Sequence, residues 1–150
     1  MWEKLNLPKF IAERFIGVTH PVNDSILLVS YEGIHTLNLL KTCALSNDIN
    51  YPEGRGLFNS ENNTLTYKGL VYKTLGLHGG EPIVKSPKGE HLVVDTNREV
   101  IEIREHTGRL VFDYKYDDLS GDWCVSTFSE DGQYALLLLP FDIYVFKRRV

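Results

Sequence analysis

The stretch from Ile83 to Phe112 limits the fold of this chain more than any other, because it places four apolar runs and three turns within thirty residues. The runs are Ile83-Val84, Leu92-Val93-Val94, Val100-Ile101-Glu102-Ile103 and Leu110-Val111-Phe112. Between them stand Ser86-Pro87-Lys88-Gly89, the polar turn Asp95 to Arg98, and His106-Thr107-Gly108. Runs this short cannot show a helical period, whereas branched and aromatic residues bounded by Gly, Pro, Asp and Ser read as antiparallel strands. Similar runs fill the rest of the chain from Phe15 onward: Phe15 to Thr19, Ile26 to Ser30, Ile34 to Leu39, Gly56 to Phe58, Thr64 to Tyr67, Leu70 to Leu75, Val125 to Phe128, Tyr134 to Leu139 and Ile143 to Phe146. No long helical period interrupts them.

The turn that precedes a strand recurs four times, at His20-Pro21-Val22-Asn23-Asp24-Ser25, Asn59-Ser60-Glu61-Asn62-Asn63, Ser86-Pro87-Lys88-Gly89-Glu90 and Ser129-Glu130-Asp131-Gly132-Gln133. Each is followed by a second run starting at Ile34, Leu70, Val100 or Ile143, which are 36, 30 and 43 residues apart. Repeats in this range, built of short strands, are read as four-stranded blades. The third and fourth units resemble WD40-like β-propeller repeats. Their marks are the Ser-Pro-Lys-Gly and Ser-Glu-Asp-Gly turns, the hydrophobic strands that follow, and Val100 to Ile103 or Ile143 to Phe146. No Trp-Asp dipeptide ends a repeat, no Gly-His opens one, and the interval between the second and third units is too short for a full outer strand.

The resemblance implies an all-β, antiparallel, propeller-like array of about four short blades in a single domain spanning residues 1–150. A curved sheet or β-sandwich is the alternative. Residues 1–14 are expected to form an N-terminal edge or capping segment that completes the fourth unit. Gly89 and Gly132 fall where a tight hairpin turn needs positive φ, which glycine adopts without a Cβ clash. The run Leu136 to Leu139 suits a strand packed on both faces.

With 43% hydrophobic and 24% charged residues, the composition is that of a chain that folds unaided. Cys43 and Cys124 lie far apart in the sequence, with no CxxC or Cys/His grouping, so two reduced thiols in a cytoplasmic protein are expected. The opening MWEKLNLPKF has no apolar core with a small-residue cleavage site and no apolar run approaches about 20 residues, so neither a signal segment nor a membrane span is expected. A net charge of −4 disfavours nucleic acid, which calls for a basic face, and favours a basic protein partner. Monomer and homodimer are both compatible with the sequence.

Catalytic motifs are absent. His20, His35, His78, His91 and His106 show no metal-ligand spacing, and no Walker or dinucleotide glycine motif offers a phosphate cradle, so no cofactor or metal is expected. His78-Gly79-Gly80-Glu81 matches part of an esterase oxyanion segment but has no GxSxG elbow to serve, and reads as a glycine turn. What stands out is the acidic stretch from Asp113 to Asp131. Asp113, Asp117, Asp118, Asp122, Glu130 and Asp131 face one base, Lys115, with Tyr114 and Tyr116 between them. These six acids and two tyrosines are the expected partner-binding residues of a non-enzymatic protein-binding module. In its sharpest form the module is an immunity-type neutraliser of a basic toxin nuclease. The alternatives are a hydrolase in which His78 or His91 meets Asp95, Asp113 or Asp142 in a central channel, and a self-assembling structural subunit. Trp123 is expected in the core, and Phe141 and Tyr144 are further candidates for an aromatic surface.

Overall fold

The computed structural model describes residues 1–8, 14–40, 57–118 and 121–149, together with the backbone of 45–50. Within these residues the chain is all-β and antiparallel. The strands are β1 (Trp2–Lys4), β2 (Phe15–Thr19), β3 (Ser25–Ser30), β4 (Gly33–Asn38), β5 (Leu45–Asn50), β6 (Phe58–Asn59), β7 (Thr64–Tyr67), β8 (Leu70–Gly76), β9 (His91–Asp95), β10 (Val100–Arg104), β11 (Leu110–Lys115), β12 (Val125–Phe128), β13 (Tyr134–Leu139) and β14 (Asp142–Arg148). They form a seven-stranded sheet ordered β5-β4-β3-β2-β8-β7-β6, a four-stranded sheet ordered β1-β14-β13-β12, and a three-stranded sheet ordered β11-β10-β9. Cys43 and Gly56 lie outside the described residues.

Strand periodicity explains how the sheets stack. Alternate residues of a strand point to opposite faces. Tyr134, Leu136 and Leu138 of β13 therefore enter a core with Phe15, Val18, Ile26 and Leu28, while Ala135, Leu137 and Leu139 enter a second core with Leu92, Ile101, Ile103 and Phe128. Both faces of β13 are dry. The same holds for β3, where Ile26 and Leu28 face β13 while Leu27 and Val29 join Leu65 and Tyr67 in a third core. The layers thus follow one another as β6–β8, β2–β4, β12–β14, β9–β11. Trp123 packs partly buried on the first core, as its position before β12 suggests.

Two features depart from a row of equal units. Instead of a separate sheet, the second unit continues that of the first, because β8 pairs with β2 through Gly17↔Gly76, Val18↔Leu75 and Thr19↔Thr74. Only six residues separate Gly76 from Ile83, too few for an outer strand, and pairing with β2 satisfies the otherwise bare edge of β8. The fourth unit gains an outer strand from the other end of the chain, with Trp2↔Arg148 and Lys4↔Phe146 in register.

The recurring turns adopt two forms. Gly89 (φ +84°) and Gly132 (φ +73°) each donate their N–H to the carbonyl of the turn's serine, Ser86 at 2.9 Å and Ser129 at 3.0 Å. The serine hydroxyls also accept from Glu90 N–H at 3.2 Å and Tyr134 N–H at 3.0 Å. The first unit has no glycine at this point, and Asn23 (φ +51°) and Asp24 (φ +59°) make a two-residue hairpin turn closed by Val22 and Ser25. The turns of the third and fourth units touch: a Cβ on Gly132 would lie 2.9 Å from Pro87 Cδ.

One buried ion pair ties these parts together. Glu90 meets Arg148 of β14, Ser86 Oγ donates to Glu90 at 3.0 Å, and the guanidinium lies 4.5 Å from the centre of the Trp2 ring. Burial alone raises the Glu90 carboxyl, but hydrogen bonds from Arg148 and Ser86 outweigh it and hold the group below its ordinary value.

Candidate docking cleft

The acidic stretch does not form one surface. Asp122 precedes β12 while Glu130 and Asp131 follow it, so a four-residue strand of roughly 13 Å separates them. Asp131 works within its turn. Hydrogen bonds from Ser129 Oγ at 2.6 Å and Gln133 N–H at 3.0 Å hold its carboxyl below the usual range. Glu130 is exposed beside it. Asp113, also exposed, sits on β11 opposite Glu102. Asp118 accepts from Gly121 N–H at 3.0 Å and donates its own N–H to Glu99 at 2.9 Å.

Tyr116 corrects the expectation of an exposed anchor. Only 1% of its surface is accessible, and burial pushes its phenol up to about 12. It lies in the second core beneath Tyr144, with ring centres 6.4 Å apart, so the side chain props the surface from below and offers nothing to a partner. Tyr114 is half-buried between Tyr144 (5.6 Å) and Phe146 (5.5 Å).

What the structure does gather is a cleft of about 420 Å³ where β1 and residues 5–8 run beside the β13–β14 turn. Lys4, Leu5, Leu7, Phe141, Asp142 and Tyr144 line it. Its wall is set by Leu5 N–H, which donates to Val145 carbonyl at 2.8 Å and extends the β1 pairing by one step. Phe141 occupies the turn between buried Leu139, the end of β13, and exposed Asp142, the start of β14, and is itself 55% exposed. Three of the predicted residues lie outside its lining but connect to it. Asp117 donates its N–H to Tyr144 Oη at 3.3 Å, Asp122 pairs with Arg14, whose guanidinium lies 5.5 Å from the Phe141 ring centre, and Tyr114 receives Lys4 at 6.0 Å. Asp142 is exposed on the lining itself. The aromatic turn at Phe141 was visible in the sequence. Its union with Lys4, Leu5 and Leu7 was not, since nothing local relates segments so far apart.

The chain matches no known protein family, no curated protein and no solved structure.

The histidine and carboxylate residues considered for hydrolysis are not brought together. His91 and Asp95 share one face of β9 but stand at its two ends, roughly 13 Å apart. The His78 ring lies 6.2 Å from Phe58 in the second unit, whereas Asp142 belongs to the cleft on the fourth. His35 is buried with Ser30 Oγ 2.7 Å from Nε2, and burial lowers His20. Gly79 closes a turn by exchanging hydrogen bonds with Gly76, the role expected of the glycine pair. Burial raises the Cys124 thiol and so keeps it protonated at neutral pH. Among the described residues, no three His, Cys, Asp or Glu side chains are grouped to hold a metal ion.

Proposed function

We propose that this chain is a non-enzymatic protein-binding module that receives a basic side chain of a partner protein in the cleft beside Phe141. The observation that carries this reading is the exposure of Phe141 on the lining of a cleft that also carries the Asp142 carboxylate, with Asp122 reached from Phe141 through Arg14. A Lys or Arg presents an apolar stem and a charged head. The stem suits Leu5, Leu7 and Phe141, and the head suits Asp142. Arg14 supplies an internal example, since its guanidinium lies over Phe141 while it pairs with Asp122. Acidic rims of this kind speed association with basic partners, and a central aromatic lengthens the life of the complex.

In the same reading the four stacked units are a propeller-like array left open between the second and third. The layer order, in which the first unit meets the second and fourth and the fourth meets the third, supports it. An immunity-type neutraliser of a basic toxin nuclease is the most specific form of the proposal, and is supported by the exposed Asp142 beside Phe141 and the net charge of −4.

Fluorescence anisotropy with a library of labelled peptides, each carrying Arg or Lys beside leucine, tests the site. Binding is expected to weaken with salt, to fall in Asp142→Lys chiefly at low salt, and to fall in Phe141→Ala at every salt concentration. Peptides that bind both variants as well as the parent chain would remove the cleft from consideration.

A further inference from the structure

A second groove, of about 400 Å³, opens on a different part of the molecule, where the β2–β3 hairpin of the first unit faces the β7–β8 hairpin of the second. Its size falls in the range of small-molecule sites. Its chemistry differs from that of the Phe141 cleft. Thr19, Asn23, Ser25, Tyr67, Lys68 and Tyr72 supply hydroxyl, amide, phenol and ammonium groups, and among the described residues no carboxylate lines it. The nearest acid in sequence, Asp24, is turned away, since its carboxylate accepts from the Tyr134 hydroxyl.

Lys68 is the one cation of this lining among the described residues. Among the described residues it forms no ion pair with a carboxylate, and its ammonium lies 5.3 Å from the Tyr67 ring centre. Its place is fixed by the backbone: Lys68 (φ +49°) and Gly69 (φ +77°) form a two-residue turn between paired Tyr67 and Leu70. The opposite wall is fixed as well, with Val22 and Ser25 exchanging backbone hydrogen bonds of 2.9 and 3.0 Å. Both walls are thus set before any ligand arrives.

The described lining, rich in donors and holding one cation, no acid and two phenol rings, complements a ligand rich in acceptors, bearing one negative charge, with an apolar face to lay on a ring. We propose that this groove binds an acidic monosaccharide of the hexuronate type. Its carboxylate pairs with Lys68, a C–H face of the sugar rests on Tyr72, and the ring hydroxyls meet Asn23 and Ser25. Neither a neutral sugar nor a small carboxylate uses all three parts.

Protein-observed NMR titration of the full chain with glucuronate, glucose and acetate separates these contributions. Glucuronate is expected to bind saturably, to move the amides of Asn23, Lys68 and Tyr72, and to bind at least about tenfold more tightly than glucose or acetate, the worth of one charge-assisted hydrogen bond. Lys68→Gln, at an exposed turn, should lower glucuronate to the level of glucose, and Lys68→Arg should retain most of the affinity. Any of three results overturns the proposal: acetate binding as well as glucuronate, Lys68→Gln binding glucuronate unchanged, or shifts that gather at Phe141.

Discussion

The second and fourth units begin with the same plan, a polar turn followed by two short strands, and end in opposite conditions. In the fourth, β13 is buried on both faces and β14 receives β1 along its free edge. In the second, Leu70, Val71 and Lys73 of β8 face solvent, and the unit is joined to the first along the β2–β8 seam and through a smaller core. Both contain hydrophobic strands, so hydrophobicity is not what separates them. The difference lies in the edge: a unit supplied with an outer strand from elsewhere can stand as a layer between two others, and one without must pair with its neighbour.

The largest effect is expected where the fourth unit is locked to the third. Glu90 is buried and Arg148 largely so, and removing one partner leaves the other charge without its match. Arg148→Met should cost about 3–5 kcal/mol in urea unfolding, and Glu90→Gln somewhat less because Ser86 remains as a partner. The pair also makes the chain sensitive to acid. A carboxyl held lower in the folded state than in the unfolded chain stabilises fully above its ordinary value near 4.3, and that stabilisation is lost as pH falls through the depressed value. Stability should therefore decline below about pH 4, and Glu90→Gln should flatten this part of the profile.

Next in size is the contrast between the strands themselves. Leu137 is fully buried between the fourth unit and the third, and Leu137→Ala should cost about 2–5 kcal/mol. Val71, 68% exposed on β8, should tolerate alanine within about 0.5 kcal/mol. Equal losses at the two positions would mean that the second unit buries this face as deeply as the fourth buries β13.

The two glycine turns sharpen the comparison. Gly89 has open space where a Cβ would stand, so Gly89→Val is opposed by its positive φ alone, about 1 kcal/mol. Gly132 has a similar φ and also faces Pro87, which a Cβ would approach to 2.9 Å. Gly132→Val should lose about 1–3 kcal/mol more than Gly89→Val in thermal or urea unfolding. Equal losses would show that the contact between the two turns yields without cost.

Much of this was legible in the sequence where the information is local. Short Val, Ile and Leu runs bounded by turn residues gave the all-β class, Gly89 and Gly132 marked turns of positive φ, and the unbroken run at Leu136 matched a strand dry on both sides. The site was less legible because it depends on distant segments. Tyr116 lies among Asp residues and reads as a turn tyrosine, yet the packing of β9–β11 onto β12–β14 buries it. Asp122 and Asp131 are close in sequence, but an extended strand is the conformation that carries them farthest apart. Glu90 and Arg148 are 58 residues apart and carry no common motif. The pairing of β8 with β2 was hidden for the same reason: the sequence shows that β8 lacks an outer partner, but not which other edge takes its place.

That seam gives the last and smallest effect. Gly17 and Gly76 face each other across it, and a Cβ on Gly76 would stand 2.3 Å from Ile16 carbonyl oxygen and 2.7 Å from Gly17 Cα, both backbone atoms with little room to retreat. Gly76→Ala should therefore pry β8 from β2. Because the core of the fourth unit draws on β2 and β3 and, among the described residues, takes only Leu75 from the second unit, the damage should remain largely local, as in partial openings that cost far less than global unfolding. Amide exchange in Thr64–Tyr67 and Leu70–Gly76 should speed up by about tenfold or more while β13 amides keep their protection, with little change in the main unfolding transition. If β13 loses protection in step with β8, the two units unfold as one, and the contrast between a locked layer and an attached edge is a difference of geometry without a difference of stability.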